Sequence, residues 1–241
     1  MTLPPDTVAI TLIVLFAAAF TKSVLGFGEA LIAVPLLTLA LGVQTAAPVS
    51  VLMASAVTLV MLVKNWQAIN FGAIWRLIAA AVVGIPVGVW GLTRLPEVWL
   101  TTLLGGLLIA IGLYYLRRPT LPPQLGERWT YVFGFFAGLL GGAYNIAGPP
   151  LIVYGTMRRW SPDQFRSTLQ GFFIVVDGLI LISHAGAGLW TPDVLQLFAL
   201  SLPAIALGFW IGNRLNRAIS PALFARLVYG ALVVLGVMLL L

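Results

Sequence analysis

The stretch Gly141-Gly142-Ala143-Tyr144-Asn145-Ile146-Ala147-Gly148-Pro149-Pro150 lies inside an otherwise apolar run from about Trp129 to Met157. The run is long enough to cross a bilayer, yet its middle is made of glycines, two prolines and an asparagine. Gly and Pro are the poorest helix formers, and Pro149 and Pro150 have no backbone N–H to donate. A helix entering here stops, and its freed backbone groups need partners that lipid cannot supply. Interrupted backbone at membrane depth survives only where protein buries it or where water or a ligand reaches it. The stretch therefore reads as half of a binding site.

Composition sets the surroundings. Of 241 residues, 61% are hydrophobic and 8% charged, and the mean hydropathy is +1.05. Soluble domains carry roughly 25% charged residues, so the chain reads as an all-α polytopic membrane protein with the lipid bilayer as its solvent. Cysteine is absent, which removes disulfides, thiolate metal sites and cysteine nucleophiles. The net charge of +6 does not point to nucleic acid, because the basic residues sit in short connections between apolar runs. The N-terminus has no Lys or Arg before Lys22 and so lacks the basic region of a cleaved signal peptide, although Ala17-Ala18-Ala19 imitates a cleavage site. One histidine and no cysteine leave no zinc cluster, and no enzyme signature such as a Walker A or Gly-x-Ser-x-Gly sequence occurs. Neither a metal nor a cofactor is expected.

Apolar runs fall at about 7–23, 28–42, 45–63, 72–92, 97–116, 129–141, 146–157, 164–183, 193–213 and 220–241. Six approach the roughly 20 residues that a spanning helix needs. The other four form two pairs, each joined by a glycine-rich break, Gly26-Phe27-Gly28 and Gly141-Gly142, with arms mostly too short to span. The pairs read as copies. Gly26, Pro35 and Leu36 fall on Gly141, Pro150 and Leu151 at an offset of 115. Gly88-Val89-Trp90 and Arg94 fall on Gly208-Phe209-Trp210 and Arg214 at 120, and Gly112 falls near Gly236. Each half is expected to be a broken, re-entrant helix pair followed by three transmembrane helices: residues 1–117 and 129–241, with a cytoplasmic linker over 118–128.

If each broken pair enters and leaves on one side, Lys64, Arg76, Arg117, Arg118, Arg128, Arg158, Arg159, Arg166, Arg214, Arg217 and Arg226 share a face. These are eleven of the thirteen basic residues. If each pair crosses once, the eleven divide between the two sides. Cytoplasmic loops carry the Lys/Arg excess, so the first arrangement is preferred, with both termini outside the cell. The second half then starts on the side opposite the first, which makes the repeats inverted. Interrupted segments at corresponding positions of inverted repeats mark the binding site of secondary transporters.

Gly26-Phe27-Gly28…Pro35-Leu36 and Gly141-Gly142…Gly148-Pro149-Pro150-Leu151, duplicated in a chain of this size, resemble the TauE/SafE sulfite exporter family, also called the 4-toluene sulfonate uptake permease family. The resemblance runs over nearly the whole chain. It implies transport of small sulfur-containing anions (sulfite, thiosulfate, or sulfonates such as sulfoacetate and taurine-related compounds) across the inner membrane. The first break commonly reads as a run of glycines in that family, whereas here it holds Phe27 and Glu29.

Half-helix N-termini bind anions through free N–H groups and the helix dipole, and the segments starting near Gly28 and Gly142 would aim two such ends at one another. The expected substrate site comprises Lys22, Gly26, Gly28, Glu29, Gly141, Gly142, Tyr144, Asn145, Gly148, Pro149 and Gln170. Lys22 either binds the anion or pairs with Glu29, seven positions on. Glu29 either complements the helix dipole or carries a proton. Asp177, in mid-span, is the second proton-carrier candidate. Tyr144 and Asn145 either add donors or merely satisfy the broken backbone. His184 reads as a solvated interfacial histidine, Arg166 as an orientation residue, and the eight tryptophans as interfacial anchors. Alternating access is the leading mechanism and a small-anion channel the competing one. A homodimer is the expected assembly.

Overall fold

The computed structural model describes residues 4–65, 71–117, 126, 128–215 and 221–241, with backbone alone at 62–65, 71–73, 162, 163, 166, 167, 221 and 222. The described residues form ten α-helices and no strand: α1 (Pro5–Leu25), α2 (Glu29–Leu41), α3 (Val43–Asn65), α4 (Phe71–Arg94), α5 (Glu97–Arg117), α6 (Trp129–Tyr144), α7 (Gly148–Met157), α8 (Pro162–Gly186), α9 (Pro192–Leu215) and α10 (Pro221–Met238). Most of the expected linker, 118–125 and 127, lies outside the described residues, as do Trp66, Arg118 and Arg217.

Six of these helices, α1, α3, α4, α5, α8 and α9, are long and apolar enough to cross a membrane. The first arm is longer than its hydropathy suggests. Pro5 sits in the first turn, where its missing N–H is harmless, and Asp6 complements the helix dipole there. At 21 residues α1 reaches spanning length, so only α2, α6 and α7, with 13, 16 and 10 residues, are short arms. Ala18 and Ala19, which imitate a cleavage site, are fully buried in α1.

Glycines fix how the helices dock. A Cβ added at Gly84 or Gly88 would lie 2.2 or 2.1 Å from the carbonyl oxygens of Phe135 or Leu139. Gly134, Gly138 and Gly142 press in the same way on Leu77, Ala81 and Ile85. The numbers rise together, so α4 and α6 run parallel with their backbones almost touching, as small-xxx-small spacing permits in lipid. Gly208 and Gly212 of α9 lie against Phe16 and Phe20 of α1 in the same parallel sense. Gly105 meets Gly236 while Gly112 meets Tyr229, so α5 and α10 run antiparallel. The opening helix of each half thus docks on the fourth helix of the other.

These contacts recur with a regular offset, though not the expected one. Gly26 and Asn145, 119 positions apart, are both left-handed helix caps (φ 83° and 58°). Each returns its N–H over 2.7 Å to the carbonyl four residues earlier, Lys22 and Gly141 respectively. The Gly84–Phe135 and Gly88–Leu139 contacts repeat as Gly208–Phe16 and Gly212–Phe20, offsets of 124 and 119 on the two helices. The counterpart of Gly26 is therefore Asn145 rather than Gly141, and that of Gly88 is Gly212 rather than Gly208. Matching glycine to glycine slipped the register by one helical turn, because the left-handed cap accepts Asn as well as Gly. Only Gly112 and Gly236 keep their pairing.

Gly88→Leu should lower the melting temperature of the detergent-solubilised protein, by about 1–3 kcal/mol of stability or more, because it forces a side chain into backbone. Gly106→Leu, which meets open space, should leave it nearly unchanged.

Candidate functional site

The site is assembled from two interruptions. In the first, Gly26 and Gly28 both take left-handed backbone (φ 83° and 91°), a conformation that costs glycine nothing. They let α1 end and α2 begin within three residues. In the second, Asn145 turns the chain and α7 begins at Gly148, with Pro149 and Pro150 in its first turn. Neither α2 nor α7 receives a side-chain cap at its N-terminus. The prolines change what α7 can offer: the unpaired amides of its start reduce to those of Ala147 and Gly148, whereas α2 presents a full first turn.

Both starts open on one cavity of about 20 Å³, lined by residues that include Phe27, Gly28, Glu29, Asn145, Gly148 and Pro149. That volume admits about one water molecule. The two breaks therefore meet at a narrow shared space.

Beneath Glu29 lies a buried charge cluster. Lys22, 2% exposed, places Nζ 2.5 Å from Glu29 Oε1 and 3.1 Å from the Ala54 carbonyl oxygen of α3, with the Phe173 ring 5.8 Å away. Of the two readings for Lys22, the ion pair is the one formed. Asp177 of α8, also buried, accepts from Thr58 Oγ1 at 2.9 Å and interacts electrostatically with both Lys22 and Glu29. Thr58 and Asp177 stand 119 positions apart, so this bond joins corresponding points of α3 and α8.

The other expected site residues divide. Asn145 is buried and donates from Nδ2 to Ser50 Oγ at 3.2 Å, with its side chain at the cavity edge. Tyr144 leads away: its hydroxyl donates to the Leu100 carbonyl at 3.0 Å. Gly26 caps α1, while Gly141 and Gly142 pack against Ile180 and Ile85, so these three shape the break without lining the cavity. Gln170 is half-buried and is not among the lining residues. His184 departs most from expectation. It is fully buried, with Nε2 2.8 Å from the Gly142 carbonyl, so it serves a carbonyl freed by the end of α6 and leaves Nδ1 without a partner. Trp160 is no anchor either, since it packs edge-on against Tyr154. Trp75, Trp90, Trp99, Trp129 and Trp210 are exposed as expected. Ser50, Thr58 and the Ala54 carbonyl escaped the sequence reading. A hydroxyl on an apolar helix carries no signal until its partner on another helix is known.

A polytopic helical protein whose two interrupted helix pairs converge on a buried ionisable cluster has the build of a secondary transporter. The model of the sulfite exporter TauE/SafE family matches residues 11–239, and the chain belongs to that family, a family of membrane transporters rather than enzymes. It is 31% identical over 237 residues to a Cupriavidus necator protein named "Probable sulfite/organosulfonate exporter TauE", covering 93% of this chain and 90% of that one. It is 25% identical over 174 residues to the "Probable inner membrane transporter protein TsaS" of Comamonas testosteroni, covering 71% and 73%. No solved structure matches the chain.

Lys22→Met should destabilise the protein by about 3–5 kcal/mol, because it strands Glu29 as an unpaired buried charge. Lys22→Met combined with Glu29→Gln should recover most of that loss. Thermal unfolding of the three proteins in one detergent measures the coupling.

Proposed function

We propose that this protein carries a small sulfur oxyanion or organosulfonate across the cytoplasmic membrane by alternating access, at a site formed by the two helix breaks. The observation that carries the reading is the shared cavity: Gly28 and Glu29 of one break face Asn145 and Gly148 of the other. The relatives, named for sulfite and organosulfonate export and for inner-membrane transport, supply the substrate class.

The repeats are inverted, divided as 1–117 and 129–241 around a cytoplasmic linker. Helix directions support this. An antiparallel α5 and α10, with α1 parallel to α9 and α4 to α6, fit breaks that enter and leave on one side. A single crossing per break would make α5 and α10 parallel. The positive-inside rule then puts the basic helix ends in the cytoplasm and both termini outside. Coupling to protons falls to Glu29 or Asp177, the carboxylates at the site. A carrier fits the cavity better than a channel does, because a space that admits about one water molecule must widen before an anion enters.

Purified protein in proteoliposomes should exchange labelled sulfite or a labelled sulfonate against internal unlabelled anion with saturable kinetics; a flux that never saturates would mark a channel. Asn145→Ala should slow exchange tenfold or more while inserting normally. Tyr144→Phe, which loses only the bond to Leu100, should retain exchange within about twofold, roughly 0.4 kcal/mol of barrier.

A further inference from the structure

Granted that the cavity between the breaks is the anion site, its walls pose an electrostatic problem. The charged group lining it is an acid, Glu29; Lys22 lies behind, bonded to that acid and not among the lining residues. An anion entering the cavity meets a carboxylate first. Two negative groups at such range cannot both stay ionised in a buried site, and an unbalanced charge is heavily penalised there. Lys22 Nζ meanwhile spends one N–H on Glu29 and one on the Ala54 carbonyl, with the Phe173 ring 5.8 Å away.

We propose that Lys22 is the anion's counter-charge, held by Glu29 in the empty carrier and handed to the anion when Glu29 takes up a proton. The step balances. The Glu29 carboxylate gains one proton and becomes a neutral acid, and its ion pair with Lys22 opens. Lys22 stays an ammonium, and an anionic oxygen of the substrate takes the place of Oε1. The pair is neutral before the exchange and the trio is neutral after it, so one proton accompanies each negative charge and no net charge crosses.

Two observations single out this pair. Lys22 and Glu29 correspond, 119 positions on, to Gly141 and Gly148, so the exchange occurs once per carrier and not once per break. The other titratable groups of the neighbouring helices are occupied or distant. Asp177 faces the pair from α8 and is held by Thr58. Glu97 of α5 caps α3 by accepting from Val43 N at 3.2 Å. Tyr115 donates to the Pro149 carbonyl and stacks on Tyr229 of α10, and Arg226 is exposed.

The test uses the full chain in proteoliposomes with labelled sulfite and labelled 2-hydroxyethanesulfonate, a sulfonate that stays a monoanion. Wild-type protein should accumulate the sulfonate about tenfold per unit of pH gradient, alkaline inside, and a potassium-diffusion potential should not change the ratio. Glu29→Gln, a fixed mimic of the protonated acid, should still exchange anion for anion while its accumulation ratio falls to one. Lys22→Gln should lose both. Accumulation by Glu29→Gln that still follows the pH gradient, or wild-type uptake that responds to the imposed potential, would overturn the exchange while leaving the transport reading intact. Wild-type vesicles that move neither anion would instead overturn the transport reading. Should Glu29→Gln fail to insert, the wild-type response to potential decides alone.

Discussion

Inside hydrocarbon, a carbonyl or amide without a partner costs several kcal/mol, and a helix that stops there leaves such groups behind. This chain stops two helices, and much of its unusual chemistry is spent on the consequences. Gly26 and Asn145 turn the chain left-handed and fold their own N–H groups back onto the helix they end. The Ile146 N–H reaches the Leu140 carbonyl at 3.1 Å. His184 crosses from α8 to the Gly142 carbonyl. The amides at the starts of α2 and α7 are treated differently. No side chain caps them, and they open on the shared cavity. The carbonyls of Lys22, Leu140, Gly141 and Gly142 are taken up while the helix-start amides are left without side-chain caps, which is the polarity that an anion requires.

The breaks can face each other because the helices that carry them are gripped elsewhere. Side chains would hold α4 and α6 several ångströms farther apart; glycines at four-residue spacing bring each backbone against the other's carbonyls. The same device on α9 holds α1. Each break is thus anchored to the opposite half of the chain, so the two cannot separate without disturbing both halves. Among the described residues the polar contacts at the centre are few: Lys22 to Glu29 and to the Ala54 carbonyl, Asn145 to Ser50, and Thr58 to Asp177.

Much of this was legible in the sequence, and the failures have physical causes. Pro149, Pro150 and the neighbouring glycines announced the second break because two consecutive prolines remove two backbone donors from one turn. Lys22 and Glu29 stood out because charges in an apolar run need partners, but whether Lys22 meets Glu29 or an anion was open in the sequence, and the ion pair is the one formed. The residue matches at offsets of 115 and 120 differ by one helical turn from the offsets at which contacts recur, because identity of residue is not identity of role: Asn145 caps its helix as Gly26 does. His184 was misplaced because its distance from the helix end suggested water, whereas a freed carbonyl on another helix claimed it. Tyr144, expected either to add a donor or to satisfy the broken backbone, donates to a carbonyl of α5. Sequence proximity to a break does not say which way a side chain leaves the helix, and this one leaves toward α5.

The structural correspondence of the halves makes their chemical difference informative. Backbone roles are matched, Gly26 with Asn145 as left-handed caps, and the side chains of Thr58 and Asp177, also 119 positions apart, bond across α3 and α8. Charge is not matched. Both ionised groups of the first break have glycine as counterpart, and the second break, with two prolines in its first helical turn, has given up amides as well. A carrier that treated its two gates alike would have no reason for this. The glycine-tight seams, α1 on α9 and α4 on α6, are bistable at best and resist sliding. The centre, held by a handful of hydrogen bonds that water or an anion can replace, is where such a molecule yields. In the alternating-access cycle proposed above, an ion pair carried by the first break alone, with the acid Asp177 of α8 facing it, would give the two faces of the cavity different charge from nearly the same backbone.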